Sequence, residues 1–109
     1  MHNIFLVFAL LSVAVTGQSD DMECIWCMNV VMNAEEHFGE RIADVTDMEF
    51  VRYFHRECRL DRRKSSIYAA VCYEMFENHS TALFNDLRHN ETVLKTCNDC
   101  NFCLSGSTV

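Results

Sequence analysis

Seven cysteines constrain the fold of this 109-residue chain more than any other feature. They comprise a Cys-x2-Cys motif, two isolated central residues and a closing Cys-x2-Cys-x2-Cys run, at Cys24, Cys27, Cys58, Cys72, Cys97, Cys100 and Cys103. In an oxidising compartment this density predicts a disulfide framework, which stabilises a small domain with a thin core. The same residues kept reduced favour a metal site or a redox centre. The cellular compartment therefore decides most of the interpretation.

The N-terminal sequence predicts secretion. Residues 4–15 are apolar except for Ser12, and this run is too short to span a bilayer. Small residues follow, and Val15 and Gly17 occupy positions −3 and −1 of a cleavage site. We therefore expect residues 1–17 to be a signal peptide, with a buried N-terminal helix or a short anchor as the alternative. N-glycosylation sequons at Asn78 and Asn90 fit the secretory route.

The remaining residues, 18–109, are enough for one small domain, with a core of about 21–103 and a polar tail, 104–109. They contain all seven cysteines, and no second apolar stretch reaches the length of a transmembrane helix. We expect a protein that is extracellular or resides in the lumen of an acidic compartment.

The charge of the chain is unevenly distributed. A formal net charge of −7 argues against a nucleic-acid-binding protein. Residues 52–64, in contrast, carry a local charge of +4, from Arg52, Arg56, Arg59, Arg62, Arg63 and Lys64 against two acidic residues. A basic patch on an acidic body can contact anionic headgroups or an acidic partner, although a solvated helix end has the same composition.

The pattern of apolar residues predicts helices. The chain has no proline and only three glycines, which disfavours strands joined by tight turns. We predict one all-α domain, a compact bundle of four to five short helices. Apolar residues recur with a helical period from about Asp20 to Phe38, and Gly39 is the expected C-cap of this first helix. A capping box at Thr46 and Glu49 begins the second. A third helix is expected from 61–65 to Glu77, a fourth capped by Ser80, and a last one from about Asn90.

Placed on these helices, six cysteines resemble the pattern of the saposin-like family. Cys24 and Cys27 lie on the first helix, Cys58 and Cys72 on the second and third, and Cys97 and Cys103 close the domain with five residues between them. The resemblance covers the whole mature chain. Sequence alone allows 15 pairings of six cysteines. The family's nested pattern implies the pairs Cys24–Cys103, Cys27–Cys97 and Cys58–Cys72.

Other chemistry is less well supported. A four-thiolate metal site made by Cys27 and the C-terminal run leaves Cys58 and Cys72 unexplained, and a thioredoxin-type pair requires a strand context that the chain lacks. Cys100 departs from the family pattern, so it is buried, reactive, or joined to Cys100 of a second copy, or it replaces Cys97 or Cys103. No catalytic constellation is present, so we expect no enzyme activity, cofactor or metal.

The resemblance implies lipid chemistry. Saposin-like proteins bind lipids, present them to hydrolases, or permeabilise membranes as the amoebapores and caenopores do. We therefore expect a secreted lipid-binding or membrane-interacting protein, in the permeabilising case an antimicrobial effector, whose basic patch contacts anionic headgroups best at acidic pH. A homodimer or higher oligomer is compatible with this role. The alternatives are a lipid-presenting cofactor for a hydrolase and a protein-interaction module without lipid activity.

The apolar side chains of the predicted helices allow two roles. Helix one carries Ile25, Trp26, Val30 and Met32 outside its main apolar stripe. Aromatic residues recur on helices two and three, at Phe50, Tyr53, Phe54, Tyr68, Tyr73 and Phe76. Such residues either line a lipid-holding cavity or meet a bilayer, or they fill the core of a small domain.

Overall fold

The computed structural model describes residues 22–103, so the predicted signal peptide and polar tail lie outside the described residues. Five α-helices follow one another in this range: α1 (22–38), α2 (Asp47–Asp61), α3 (Ser66–Asn78), α4 (Ser80–Arg88) and α5 (Val93–Asp99). A 3-10 helix, Gly39–Asp44, connects α1 to α2. Because residues 22–103 contain no strand, the predicted all-α bundle is confirmed.

Local sequence sets the ends of the first two helices. Gly39 has a φ of +61°, the left-handed conformation that ends α1 and that glycine adopts without strain. The predicted capping box begins α2: Thr46 Oγ1 accepts from the Glu49 amide at 3.2 Å, and Glu49 Oε1 accepts from the Thr46 amide at 3.3 Å. Both features are confirmed as predicted.

Two predicted helix starts were wrong. Ser80 is the first residue of α4 and not its cap, because His79 alone separates α4 from α3 and takes the N-cap position. The last helix begins at Val93 and not near Asn90, because Asn90 has a left-handed φ of 55°. Thr92 caps this helix, since its Oγ1 accepts from the Lys95 amide at 3.1 Å.

Aromatic side chains fill the centre of the bundle. Phe50 and Phe54 of α2 are fully buried, and the Phe84 ring of α4 stacks on them with centroid distances of 4.9 and 6.1 Å. Phe38, at the end of α1, meets Phe50 edge-on at 5.2 Å. The other aromatic residues of α2 and α3 are buried or packed against this core, namely Tyr53, Tyr68, Tyr73 and Phe76. These rings therefore belong to the core of the bundle.

The four apolar residues of α1 that lie outside its main apolar stripe divide between core packing and surface exposure. Val30 is buried in the core, and Trp26 packs beside Tyr68 of α3 with a centroid distance of 6.4 Å. Ile25 and Met32 are exposed. Only this second pair is available for contacts outside the bundle.

Three disulfides join the helices in the pairing that the resemblance implies. Cys24–Cys103 and Cys27–Cys97 fasten the beginning of α1 to α5 and the residues after it, with Cα separations of 4.8 and 5.9 Å. Cys58–Cys72 joins α2 to α3 at 5.4 Å. Six cysteines are thereby removed as thiolate ligands, and three such bonds are typical of extracellular or lumenal proteins.

Candidate functional site

The six predicted headgroup contacts lie along the outer side of α2 and the turn after it. Arg52, Arg56 and Arg59 are spaced by four and three residues, so they share one side of α2, opposite the buried Phe50 and Phe54. The turn between α2 and α3 supplies the remaining three, Arg62, Arg63 and Lys64. All six side chains are exposed, and we call them together the basic face.

Most of this positive charge is not neutralised within the described chain. Arg56 Nε lies 3.6 Å from Glu57 Oε2. No carboxylate oxygen from residues 22–103 comes within 4.0 Å of the other five cations, Arg52, Arg59, Arg62, Arg63 and Lys64. Arg62 packs its guanidinium over the Tyr73 ring at 5.5 Å, which orients the cation but leaves its charge in place. The basic face is therefore free to attract an external anion.

Exposed apolar side chains accompany the basic face. Met48 is 60% exposed and precedes Arg52 by one helical turn, so the two lie side by side. Val51 and Leu60 of α2 are also exposed. Cations next to exposed apolar groups suit the boundary of a membrane, where headgroups meet acyl chains.

Arg52 and Arg56 also border an open cavity of about 180 Å³. It lies where the end of α1, the 3-10 helix and the beginning of α2 meet. Arg41 of the 3-10 helix provides a third guanidinium, and the other walls are His37, Phe38, Glu49 and Tyr53. Sequence analysis missed Arg41, because it lies outside the basic run and no helical period relates it to α2.

Two contacts hold Arg41 at the cavity. Its Nη1 donates to Glu49 Oε2 at 3.2 Å, and its guanidinium carbon lies 5.3 Å from the Phe38 ring centroid. The pKa of Glu49 is lowered by hydrogen bonds from the Thr46 amide and from Arg41. Glu49 therefore stays ionised in mild acid and keeps Arg41 in position.

A second charged cluster lies between α4 and α5. Asp86 is only 4% exposed, and its Oδ2 accepts no hydrogen bond from the described residues. Lys95 Nζ lies 3.9 Å from Asp86 Oδ1, 3.5 Å from Glu91 Oε2 and 2.7 Å from Asp99 Oδ2. Burial, together with the neighbouring Asp99, raises the pKa of Asp86 to about 6. No sequence signal marks Asp86, since its burial depends on the packing of α5.

Cys100 lies beside this cluster as an unpaired, buried thiol. Its side chain is 1% exposed, and burial, with Asp86 and Asp99 nearby, raises its pKa to about 12. A thiol in this state is a poor nucleophile. The structure shows that the Cys100 thiol is buried. A disulfide to Cys100 of a second copy therefore requires local opening of the domain.

The remaining sequence predictions fall at the surface. Asn78 ends α3 with its side-chain amide donating to the Glu74 carboxylate at 2.7 and 2.8 Å. Asn90 lies in the loop between α4 and α5, and both asparagines are exposed. Occupancy of the two sequons stays a prediction.

Among residues 22–103, no three histidine, cysteine or acidic side chains are grouped as metal ligands, and no helix is both long and apolar enough to cross a bilayer. No protein-family model, curated protein or solved structure matches the chain.

Proposed function

We propose that this chain is a secreted saposin-like protein that binds anionic membrane surfaces through its basic face. One observation carries the proposal: five exposed cations without a carboxylate partner in the described chain stand beside exposed apolar side chains. Each cation near an anionic surface contributes about 1 kcal/mol. Six of them support an affinity between millimolar and micromolar, which is sufficient for reversible binding.

Apolar contact supplements this attraction. Met48, Val51 and Leu60 can enter the boundary between headgroups and acyl chains while the neighbouring arginines remain among phosphates. The Cys58–Cys72 disulfide keeps α2 joined to α3 during this contact. The binding proposed is thus peripheral, with a rigid domain resting on the surface.

Acidic pH should strengthen the binding. At neutral pH the net charge of −7 repels an anionic membrane and opposes the basic face. Histidines ordinarily gain charge as the pH falls toward 5, and carboxylates begin to lose theirs. Two imidazoles accompany the basic face, since His37 lines the arginine cavity and His55 is exposed on α2.

Vesicle flotation at pH 5 tests the proposal. The oxidised protein should float with vesicles that contain an anionic lipid and stay behind with purely zwitterionic ones. Absence of binding to the anionic vesicles would contradict the proposal and favour a protein-interaction module.

Dye release from the same vesicles distinguishes the finer roles. Release by the bound protein identifies a membrane-permeabilising effector. Extraction of lipid without release identifies a lipid-presenting cofactor for a hydrolase.

A further inference from the structure

We infer that the cavity bordered by Arg41, Arg52 and Arg56 is a binding site for one phosphate group of an anionic lipid headgroup. The inference rests on the proposed function and names the ligand of the same surface. The rest of the basic face attracts negative charge of any kind. The cavity, in contrast, brings three guanidiniums together and holds one of them, Arg41, in place.

The charges that meet at the cavity leave a positive excess. Three guanidiniums face one carboxylate, that of Glu49. Both oxygens of Glu49 are already engaged, Oε1 by the Thr46 amide at 3.3 Å and Oε2 by Arg41 at 3.2 Å. The lining carries a net charge of about +2, which Glu57 reduces where its Oε2 lies 3.6 Å from Arg56 Nε, and this suits a phosphomonoester, which carries between one and two negative charges near pH 6.

The donors of the cavity are partly preorganised. Arg41 is held between Glu49 and the Phe38 ring and has further N–H groups that these contacts do not use. Arg52 has no carboxylate partner among residues 22–103. Guanidinium groups bind phosphate oxygens bidentately, so an anchored arginine beside an unpaired one suits a tetrahedral oxyanion.

The size of the cavity agrees with a single phosphate group. Its volume is about 180 Å³, whereas one water occupies roughly 30 Å³ of the liquid. The open cavity therefore has room for a phosphate group with its hydrating waters. The His37 ring, whose centroid lies 4.7 Å from that of the Tyr53 ring, forms one wall.

Phosphomonoesters fit this site better than phosphodiesters. A phosphomonoester presents three free oxygens to the three guanidiniums, whereas a diester such as that of phosphatidylglycerol presents two. We therefore expect the protein to prefer phosphatidic acid to phosphatidylglycerol when the two kinds of vesicle have equal surface charge. An attraction that depends on surface charge alone gives no such preference.

Two double variants separate the site from the rest of the basic face. Arg52→Gln with Arg56→Gln removes two cations that line the cavity. Arg59→Gln with Arg63→Gln removes two exposed cations that do not. Binding is measured by co-sedimentation at pH 6 with phosphatidic acid and phosphatidylglycerol vesicles matched in zeta potential.

The wild type should prefer phosphatidic acid about tenfold, the gain expected from one additional charge-assisted contact. The cavity variant should lose this preference, and the control variant should bind both lipids more weakly while keeping it. Equal binding of both lipids by the wild type, or equal loss of preference in both variants, would overturn the site and leave the proposed function standing. Wild-type protein that binds neither lipid would overturn both.

Inorganic phosphate, added at constant ionic strength, identifies the source of the ligand. If it abolishes the preference for phosphatidic acid, the cavity also takes free phosphate. If the preference remains in the presence of inorganic phosphate, the site requires phosphate that is displayed on a membrane. Both results support a phosphate site, and the variants above decide whether that site exists.

Discussion

Asp86 Oδ1 lies 3.9 Å from Lys95 Nζ, while Asp86 Oδ2 accepts no hydrogen bond from residues 22–103. Lys95 is shared with Glu91 and Asp99, so it compensates the buried carboxylate incompletely. Burial raises the pKa of Asp86 to about 6, and protonation lets Asp86 donate to Asp99, which lowers the pKa of Asp99. The folded state therefore holds a proton on Asp86 that the unfolded chain releases near pH 4.

This proton makes stability depend on pH. Because the pKa of Asp86 is raised on folding, the free energy of unfolding should fall as the pH rises from about 4 through 6. Asp86→Asn, which mimics the protonated acid, should be more stable than the wild type by about 3 kcal/mol at pH 7.5 and by only about 1 kcal/mol at pH 4.5. Urea unfolding at the two pH values measures this. The exposed Glu77→Gln is the matched control, and a destabilised Asp86→Asn at pH 7.5 would refute the assignment.

Cys100 should be chemically silent in the folded protein. Burial of its thiol raises its pKa to about 12, which leaves little thiolate at pH 8. A thiol-specific disulfide reagent should modify the native oxidised protein at least about a hundredfold more slowly than the urea-unfolded protein. Cys100→Ser provides the blank. Rapid labelling, or a dimer that only reducing gels dissolve, would show that the thiol is accessible.

The outer pair of disulfides should stabilise the fold more than the central one. Cys24–Cys103 closes a loop with a sequence separation of 79, whereas Cys58–Cys72 spans 14. Because Cys24–Cys103 still closes the long loop when Cys27–Cys97 is lost, both outer bonds are removed together. In the chain-entropy model the long loop contributes about 4 kcal/mol and the short one about 3 kcal/mol. Urea unfolding compares the alanine variant that lacks both outer bonds with the one that lacks Cys58–Cys72. A larger loss for the shorter loop would contradict this ranking.

Removing charge from the turn end of the basic face should weaken membrane binding. Arg59→Gln, Arg62→Gln and Arg63→Gln together remove three exposed cations and should reduce affinity for anionic vesicles about a hundredfold. The remaining affinity should vary less with salt, because fewer charges are screened. Co-sedimentation at low and high salt measures both effects, with unchanged circular dichroism as the control for folding. Unaltered affinity would place the membrane contact elsewhere.

Local signals in the sequence predicted the local structure. The Thr46 and Glu49 capping box and the position of Gly39 at the end of α1 depend on residues close in the chain, and both are confirmed. The starts of α4 and α5 were missed because they depend on the conformation of the preceding loop. Asn90, with its left-handed φ, is the clearest case.

The parts of the site that depend on tertiary contacts were not predictable. Arg41 reaches the cavity only because the 3-10 helix places it beside Glu49, eight residues later. Asp86 is buried only because α5 packs against α4. The aromatic residues show the same limit. Their sequence pattern fitted a lipid-facing surface and a core equally well, and only the packing of the helices places them in the core.

Binding to anionic vesicles as a function of pH tests the central claim most directly. The oxidised protein is co-sedimented with phosphatidylcholine vesicles that contain an anionic lipid, in steps from pH 4 to 7.5 at fixed ionic strength. Binding should be weak at pH 7.5, where the body carries its net charge of −7, and should rise steadily below about pH 6.5 as histidines gain charge. Binding that is absent throughout, or strongest at neutral pH, would contradict the account.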